Sequence, residues 1–186
     1  ATMMAIELGY VGFAADVYGV DAIIPPEDAG FQEMAEFTSI YAGNATLFSQ
    51  RIRAAIDYVS GLDEVDGESV AIVGYCLGGR LAFMAAARTD IDASVGYYGV
   101  GIDGLLGEKH AIAHPVMLHI PTADGFVPRE TQAAMHEGLD DHPKVTLHDY
   151  EGLDHGFATE TGQRRDEAAA TLADSRTAAF FAEHLG

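Results

Sequence analysis

One short segment, Gly-Tyr-Cys-Leu-Gly-Gly at positions 74–79, constrains the fold of this chain more than any other feature. It follows the apolar run Val-Ala-Ile-Val at positions 70–73, and this order predicts a strand, a sharp turn and a helix with Cys76 at the apex. Glycines flank the apex because a strained turn packs too closely on the strand and the helix for a Cβ atom. The N–H groups at the start of the helix favour a thiolate there. The alternative, an ordinary buried cysteine, does not account for the glycines.

Strand-like and helix-like segments alternate along the chain, which is typical of an α/β fold with a mostly parallel sheet and helices on both faces. The segment 45–60 places Phe48, Ile52, Ile56 and Val59 at helical spacing. The predicted strands are 11–15, 70–74, 93–98, 115–120 and 145–150, the predicted helices are 45–60, 79–87, 128–139 and 167–185, and the predicted loops are 21–30 and 99–109.

Length and cysteine content indicate one domain, 1–186, in a reducing cytoplasm. The first residues look like the end of a helix that runs directly into a strand. We therefore expect this domain to be N-terminally incomplete, with early strands of the sheet absent from the chain. Residues 1–8 lack the basic start of a signal peptide, and no apolar stretch is long enough to span a bilayer.

The charge is strongly acidic, with 29 Asp and Glu residues against 10 Lys and Arg residues and a net charge of −19. Such a surface repels phosphate backbones and anionic lipids, so we expect neither nucleic acid nor a membrane as a partner. Only Lys109 and Lys144 are lysines. This composition is typical of proteins adapted to strong salt, and an ordinary acidic enzyme is the alternative that stays open.

A cysteine nucleophile needs a base that takes its proton and a third group that orients this base. In enzymes built on this turn, the order along the chain is nucleophile, acid and histidine. Asp124 follows the predicted strand 115–120, and His155 follows the predicted strand 145–150. Because the carboxyl ends of parallel strands meet at one edge of the sheet, Cys76, Asp124 and His155 are predicted to come together.

Other side chains compete for these roles. Asp154 is a rival acid, but adjacent side chains point apart, so it is poorly placed to orient His155. Asp149 lies within a predicted strand and is also a weaker choice. A surface or capping role is expected for the other histidines, which lie in strand or helix patterns or in polar loops: His110, His114, His119, His136, His142, His148 and His184.

Four motifs, found in order along nearly the whole chain, carry a resemblance to a known family. They are GYCLGG at 74–79, GYYGVG at 96–101, DGFVP at 124–128 and HGFA at 155–158. On these motifs the chain resembles the dienelactone hydrolase family, which implies an α/β-hydrolase fold. The resemblance places the family's nucleophile on Cys76, its acid on Asp124 and its base on His155.

The resemblance implies the hydrolysis of a small-molecule ester or lactone through an acyl-thiol intermediate. Cys76 would attack the carbonyl, His155 would move the protons, and Asp124 would fix the tautomer of His155. The backbone N–H of Leu77 would donate to the oxyanion. No cofactor and no metal are implied, and the expected oligomeric state is a monomer or a weak homodimer.

Two departures from the family pattern concern the surroundings of the nucleophile. The family's second oxyanion donor, and a glutamate that holds the thiol, belong to a loop that would precede Ala1. Members that act on dienelactone hold the substrate carboxylate with two arginines, whereas Val20 and Thr159 occupy those positions. We therefore expect a substrate that is less anionic or differently anchored. Arg164 and Arg165 are alternatives on the same loop, although such a pair is more often ordinary surface.

Two other functions stay open. One is a non-catalytic binding protein with a hydrolase fold, and the other is a redox-responsive thiol protein, since an activated cysteine is also oxidisable. A binding protein has no need for Asp124 and His155 around Cys76, so the sequence favours the enzyme.

Overall fold

Parallel strands and α-helices alternate in the part of the chain that the computed structural model describes, residues 45–63, 65, 69–160 and 163–186 together with 10 and 12. A 3₁₀ helix, Asp103–Ala111, lies between the second and third strands. The strands and α-helices, in chain order, are α1 (Ala45–Ser60), β1 (Ala71–Tyr75), α2 (Leu77–Arg88), β2 (Ala93–Tyr97), β3 (Val116–Pro121), α3 (Arg129–Leu139), β4 (Val145–Tyr150) and α4 (Glu167–Leu185).

The four described strands form one parallel sheet in the order β1-β2-β3-β4. Tyr75 pairs with Tyr97 at the ends of β1 and β2, and Pro121 pairs with Tyr150 at the ends of β3 and β4. All strands therefore end at the same edge of the sheet, and the residues that follow β1, β3 and β4 are brought to this edge.

Helices cover both faces of the sheet. One core, which contains Phe83 and Leu118, lies between the sheet and helices α1 to α3. A second core, which contains Val95 and Phe180, lies between the sheet and α4. Alternate side chains of β1, β2 and β3 enter opposite cores, as is usual for a parallel sheet, whereas β4 also carries the exposed residues Thr146 and Asp149. Of the described helices, none is long and apolar enough to cross a membrane.

The predicted elements agree with the structure to within two residues at each end, with one error. Residues 99–109 were expected to be a loop, but Asp103–Ala111 forms the 3₁₀ helix, in which Leu105 is buried. The sequence did not predict this helix, because the segment contains two glycines and only a short apolar stretch. A short 3₁₀ segment lacks the apolar repeat by which a longer α-helix is recognised. The predicted strand 11–15, the predicted loop 21–30 and Val20 lie outside the described residues.

Candidate active site

The turn between β1 and α2 holds Cys76 in a strained backbone conformation, with φ 56° and ψ −117°. Residues other than glycine rarely adopt a positive φ, and such strain persists only where the surroundings enforce it. The N–H of Cys76 donates to the carbonyl of Tyr97 (3.0 Å), and its own carbonyl accepts from Gly79 N (3.0 Å). These bonds fasten the turn to the end of β2 and to the first turn of α2.

Two of the three glycines around Cys76 are required by close packing. A Cβ atom on Gly74 would overlap the backbone of Gly78, and one on Gly79 would lie 2.8 Å from the carbonyl oxygen of Tyr97. A Cβ atom on Gly78 would meet nothing within 4 Å. The expectation of a steric role for the flanking glycines therefore holds for Gly74 and Gly79 and is wrong for Gly78.

This difference gives a test of the turn. We expect Gly79→Ala to lower the free energy of unfolding by about 1–3 kcal/mol, because the backbone of β2 must move away from the new methyl group. Gly78→Ala is the matched control, since alanine fits there and gains roughly 0.5–1 kcal/mol in a helix. Urea unfolding of both variants measures the two effects, and equal stability of the variants would contradict the packing argument.

Asp124 and His155 lie on the loops that follow β3 and β4 and form a buried pair. Nδ1 of His155 donates to Oδ2 of Asp124 at 2.9 Å, a direction that the carboxylate fixes because it can only accept. The other oxygen, Oδ1, accepts the backbone N–H groups of Phe126 (2.8 Å) and Val127 (3.3 Å). The Asp124 side chain is also fully shielded from solvent. Hydrogen bonds to both of its oxygens therefore fix the orientation of the carboxylate.

Burial and neighbouring side chains act in opposite directions on the pKa of His155. Burial lowers this pKa because the imidazolium loses hydration, but interactions with Asp124 and Cys76 outweigh it and raise the pKa to about 9. Cys76 therefore lies within electrostatic reach of the His155 ring, whose Nδ1 bonds Asp124.

The raised pKa predicts how stability depends on pH. Unfolded histidine has a pKa of about 6.5, so protonation of His155 favours the folded state. This contribution is complete below pH 6.5 and is lost as the pH rises through about 9. We expect Cys76→Ala to lower the pKa of His155 and to reduce this loss of stability. NMR titration of the imidazole measures the pKa of His155, and urea unfolding midpoints between pH 6 and about 10 measure the loss of stability. An unchanged pKa would contradict the interaction between His155 and Cys76.

Two aromatic rings enclose the imidazole of His155. The ring centroid of Tyr98 lies 4.8 Å from that of His155, and the ring centroid of Phe126 lies 4.5 Å from it. Tyr98 is buried, whereas Phe126 is 36% exposed and forms an accessible wall beside the imidazole. Neither aromatic residue was singled out from the sequence, although Phe126 comes only two residues after Asp124.

The two arginines of the loop before α4 differ in their contacts. Arg165 donates to the carboxylate of Glu167 (2.7 Å) and to the carbonyl of Thr159 (2.9 Å), which ties it to the start of α4. Arg164 is exposed, and its guanidinium carbon lies 5.9 Å from the ring centroid of Phe126. Of this pair, Arg164 is the one next to the accessible wall of the site.

The expected surface or capping role is wrong for His119. This side chain is 1% exposed; its Nδ1 lies 2.8 Å from the Tyr150 hydroxyl and its Nε2 lies 3.0 Å from Thr177 Oγ1. Burial, followed by the positive charges of His148 and Arg176, lowers its pKa to about 3. His119 is therefore neutral and joins β3, β4 and α4 behind the site.

The remaining candidates occupy distinct places around the site. Leu77 is the first residue of α2, and the first N–H groups of a helix have no acceptor within it. Asp149 contacts His136 (3.1 Å). Asp154 accepts backbone N–H groups, so among the described carboxylates it is Asp124 that bonds the His155 ring.

Within the described ranges, no cluster of His, Cys, Asp or Glu side chains could hold a metal ion.

Comparison with known proteins identifies the family. The sequence model of the dienelactone hydrolase family matches residues 2–185. The chain belongs to the dienelactone hydrolase family. It is 34% identical over 184 residues to a carboxymethylenebutenolidase of Pseudomonas putida, an alignment that covers 95% of this chain and 75% of that protein. It is 40% identical over 126 residues to carboxymethylenebutenolidase 1 of Cupriavidus pinatubonensis, covering 68% of this chain and 53% of that protein.

A solved structure of a dienelactone hydrolase-like promiscuous phosphotriesterase from metagenomic libraries superimposes on the chain with a TM-score of 0.79 at 24% identity. The match covers 96% of this chain and 76% of that one, and it confirms the predicted α/β-hydrolase fold. A further relative, from Azospirillum brasilense, is 52% identical over 110 residues, which is 48% of its length. This member of the dienelactone hydrolase family thus spans about half to three quarters of the curated relatives that it matches.

Proposed function

We propose that this protein hydrolyses a small ester or lactone, with Cys76 as nucleophile, His155 as acid and base, and Asp124 as the group that orients His155. One observation above all supports this assignment. The His155 ring bonds Asp124 through Nδ1 and also interacts with Cys76, which lies at the apex of a strained turn. A nucleophile, a base and an orienting carboxylate are the parts that acyl transfer needs.

In the first half of the reaction, the Cys76 sulfur attacks the carbonyl carbon as a thiolate, and its proton is held on Nε2 of His155. The carbonyl electron pair moves to oxygen, and the N–H of Leu77 donates to this oxyanion. Loss of a comparable donor raises the barrier of other enzymes by about 3 kcal/mol. The oxyanion then collapses, the bond to the leaving oxygen breaks, and His155 gives its proton to that oxygen. The product of this half is an acyl-thiol enzyme.

In the second half, His155 takes a proton from water, and the hydroxide formed attacks the acyl carbon. The carbon–sulfur bond breaks, the carboxylic acid leaves, and sulfur and His155 return to their starting state. Asp124 stabilises the imidazolium in both halves through the bond to Nδ1. For a lactone, the leaving oxygen and the acid belong to one product molecule.

The proposed substrate is less anionic than dienelactone or is anchored differently. Thr159 occupies a position where members that act on dienelactone carry an arginine, and its hydroxyl is used within its own loop, donating to the Gly156 carbonyl (3.0 Å). The accessible face of Phe126 beside His155 suits an apolar or aromatic group next to the scissile bond.

The experiment is a stopped-flow assay with p-nitrophenyl acetate, followed by steady-state rates with this ester and with dienelactone. We expect a burst of p-nitrophenol equivalent to one acyl group per protein, detectable by mass spectrometry on Cys76. We also expect a lower kcat/KM for dienelactone than for the aryl ester. Comparable values for the two substrates would overturn the substrate proposal, and binding of esters without any turnover would overturn the hydrolase.

A further inference from the structure

One acidic side chain at the site takes no part in the proposed reaction. Asp154 directly precedes His155, and its Oδ1 accepts two backbone N–H groups, that of His155 at 2.7 Å and that of Gly125 at 3.0 Å. The bond to Gly125 crosses from the loop after β4 to the loop after β3. A single carboxylate oxygen therefore joins the loop that carries Asp124 to the loop that carries His155.

Bonds on both sides of Asp124 hold the two loops together. Before Asp124, next to the end of β3, the N–H of Ala123 donates to the carbonyl of Leu153 (2.9 Å). On the other side, Gly125 N donates to Asp154. Asp124 lies between these two cross-loop bonds, so its backbone cannot move away from the His155 loop without breaking one of them.

The chemistry of Asp154 suits a permanent acceptor. The backbone hydrogen bonds from Gly125 and His155 lower the pKa of Asp154, and the positive charges of Arg164 and His155 lower it further. An ionised carboxylate accepts hydrogen bonds without competing as a donor. Because Asp154 is exposed, loss of these bonds affects overall stability little, and the main consequence concerns the geometry of the loops.

We propose that Asp154 is a positioning residue, which holds the Asp124 and His155 loops in register by accepting the N–H groups of Gly125 and His155. It does not touch the reacting atoms. The proposal rests on the proposed function, since it assigns Asp154 a role in the same reaction.

The test compares three variants in the ester assay. We expect Asp154→Ala to lower kcat by roughly 10- to 100-fold with little change in KM or melting temperature, because small displacements of catalytic groups are costly. Asp154→Asn retains an oxygen that can accept both N–H groups, so we expect its kcat to stay within about threefold of the wild-type value. A tenfold change in kcat would correspond to ~1.4 kcal/mol of activation free energy. Glu151→Ala removes an exposed acid of the same loop and is the matched control. Wild-type kcat in Asp154→Ala, or equal losses in both Asp154 variants, would overturn the proposal.

A second measurement needs no activity. The proton between His155 Nδ1 and Asp124 is sheltered, so it gives a downfield NMR signal whose exchange with water reports on the pair. We expect faster exchange in Asp154→Ala than in the wild type and in Asp154→Asn. If the wild type cleaves no ester, the proposed function fails but this comparison still decides the role of Asp154. An unchanged exchange rate in Asp154→Ala overturns the positioning role.

Discussion

Cys76→Ala is expected to abolish the burst of p-nitrophenol and to lower kcat/KM for aryl esters by about 10⁴-fold or more, the scale found when a covalent nucleophile is removed. Without the sulfur no acyl-enzyme forms, and the remaining donors can only polarise a carbonyl for attack by water. The kcat/KM of Cys76→Ser is expected to lie between those of the wild type and Cys76→Ala, because a serine hydroxyl is much less acidic than a cysteine thiol. Stopped-flow absorbance and mass spectrometry of the acylated protein measure these outcomes.

Thermal unfolding is the control for the Cys76 variants. Alanine keeps the Cβ atom at the strained position, so a fall in melting temperature beyond the one expected from the lower pKa of His155 would mean that the turn itself had changed. The hydrolase proposal does not survive if Cys76→Ala keeps the burst at wild-type amplitude and no acyl group is found on the wild-type thiol.

Asp124→Asn is expected to lower kcat by about 10³- to 10⁴-fold, as an amide does in other enzymes with such a triad. The two N–H groups of Phe126 and Val127 will hold the amide oxygen, because they now bond Oδ1 of Asp124. The amide nitrogen must then face Nδ1 of His155, which can only accept from it. The ring proton moves to Nε2 and points at Cys76, so the base is blocked. Steady-state kinetics and the imidazole tautomer by ¹⁵N NMR measure the change.

The structure offers a matched control for this substitution. Asp140 also bonds a histidine, His136 (2.8 Å), but this pair is on the surface. Asp140→Asn should leave kcat unchanged within about twofold, because surface pairs contribute little. If Asp124→Asn behaves like Asp140→Asn, then Asp124 is not the orienting acid.

The sequence predicted the parts of the fold that follow from strong periodic patterns. The helix 45–60 and the strand 145–150 agree with the structure at both ends, because each combines a clear apolar repeat with a distinct boundary. The predicted helix 79–87 begins two residues late, since it starts at Leu77 directly after Cys76. Gly78 and Gly79 are poor helix formers and concealed this start.

Features that depend on contacts between distant segments were not visible in the sequence. The buried position of His119 depends on Tyr150 and Thr177, and no local pattern indicates which histidine of a strand lies under a helix. Asp154 was weighed only as a rival acid for His155. Its bond to Gly125 spans 29 residues along the chain and could be found only in three dimensions.

The bonds between the loops after β3 and β4 also have a consequence for motion. Three backbone N–H groups, those of Ala123, Gly125 and Gly152, donate hydrogen bonds from one loop to the other. The acceptor of Ala123 is a backbone carbonyl, and the acceptors of the two glycines are side-chain oxygens. A local opening of one loop must break bonds of the other, so the three amides should exchange with deuterium at similar rates, as one cooperative unit. The Cys76 turn is fastened to β2 instead, and its amide should exchange independently. Fluctuations would thus remove the acid and the base together while the nucleophile stays in place.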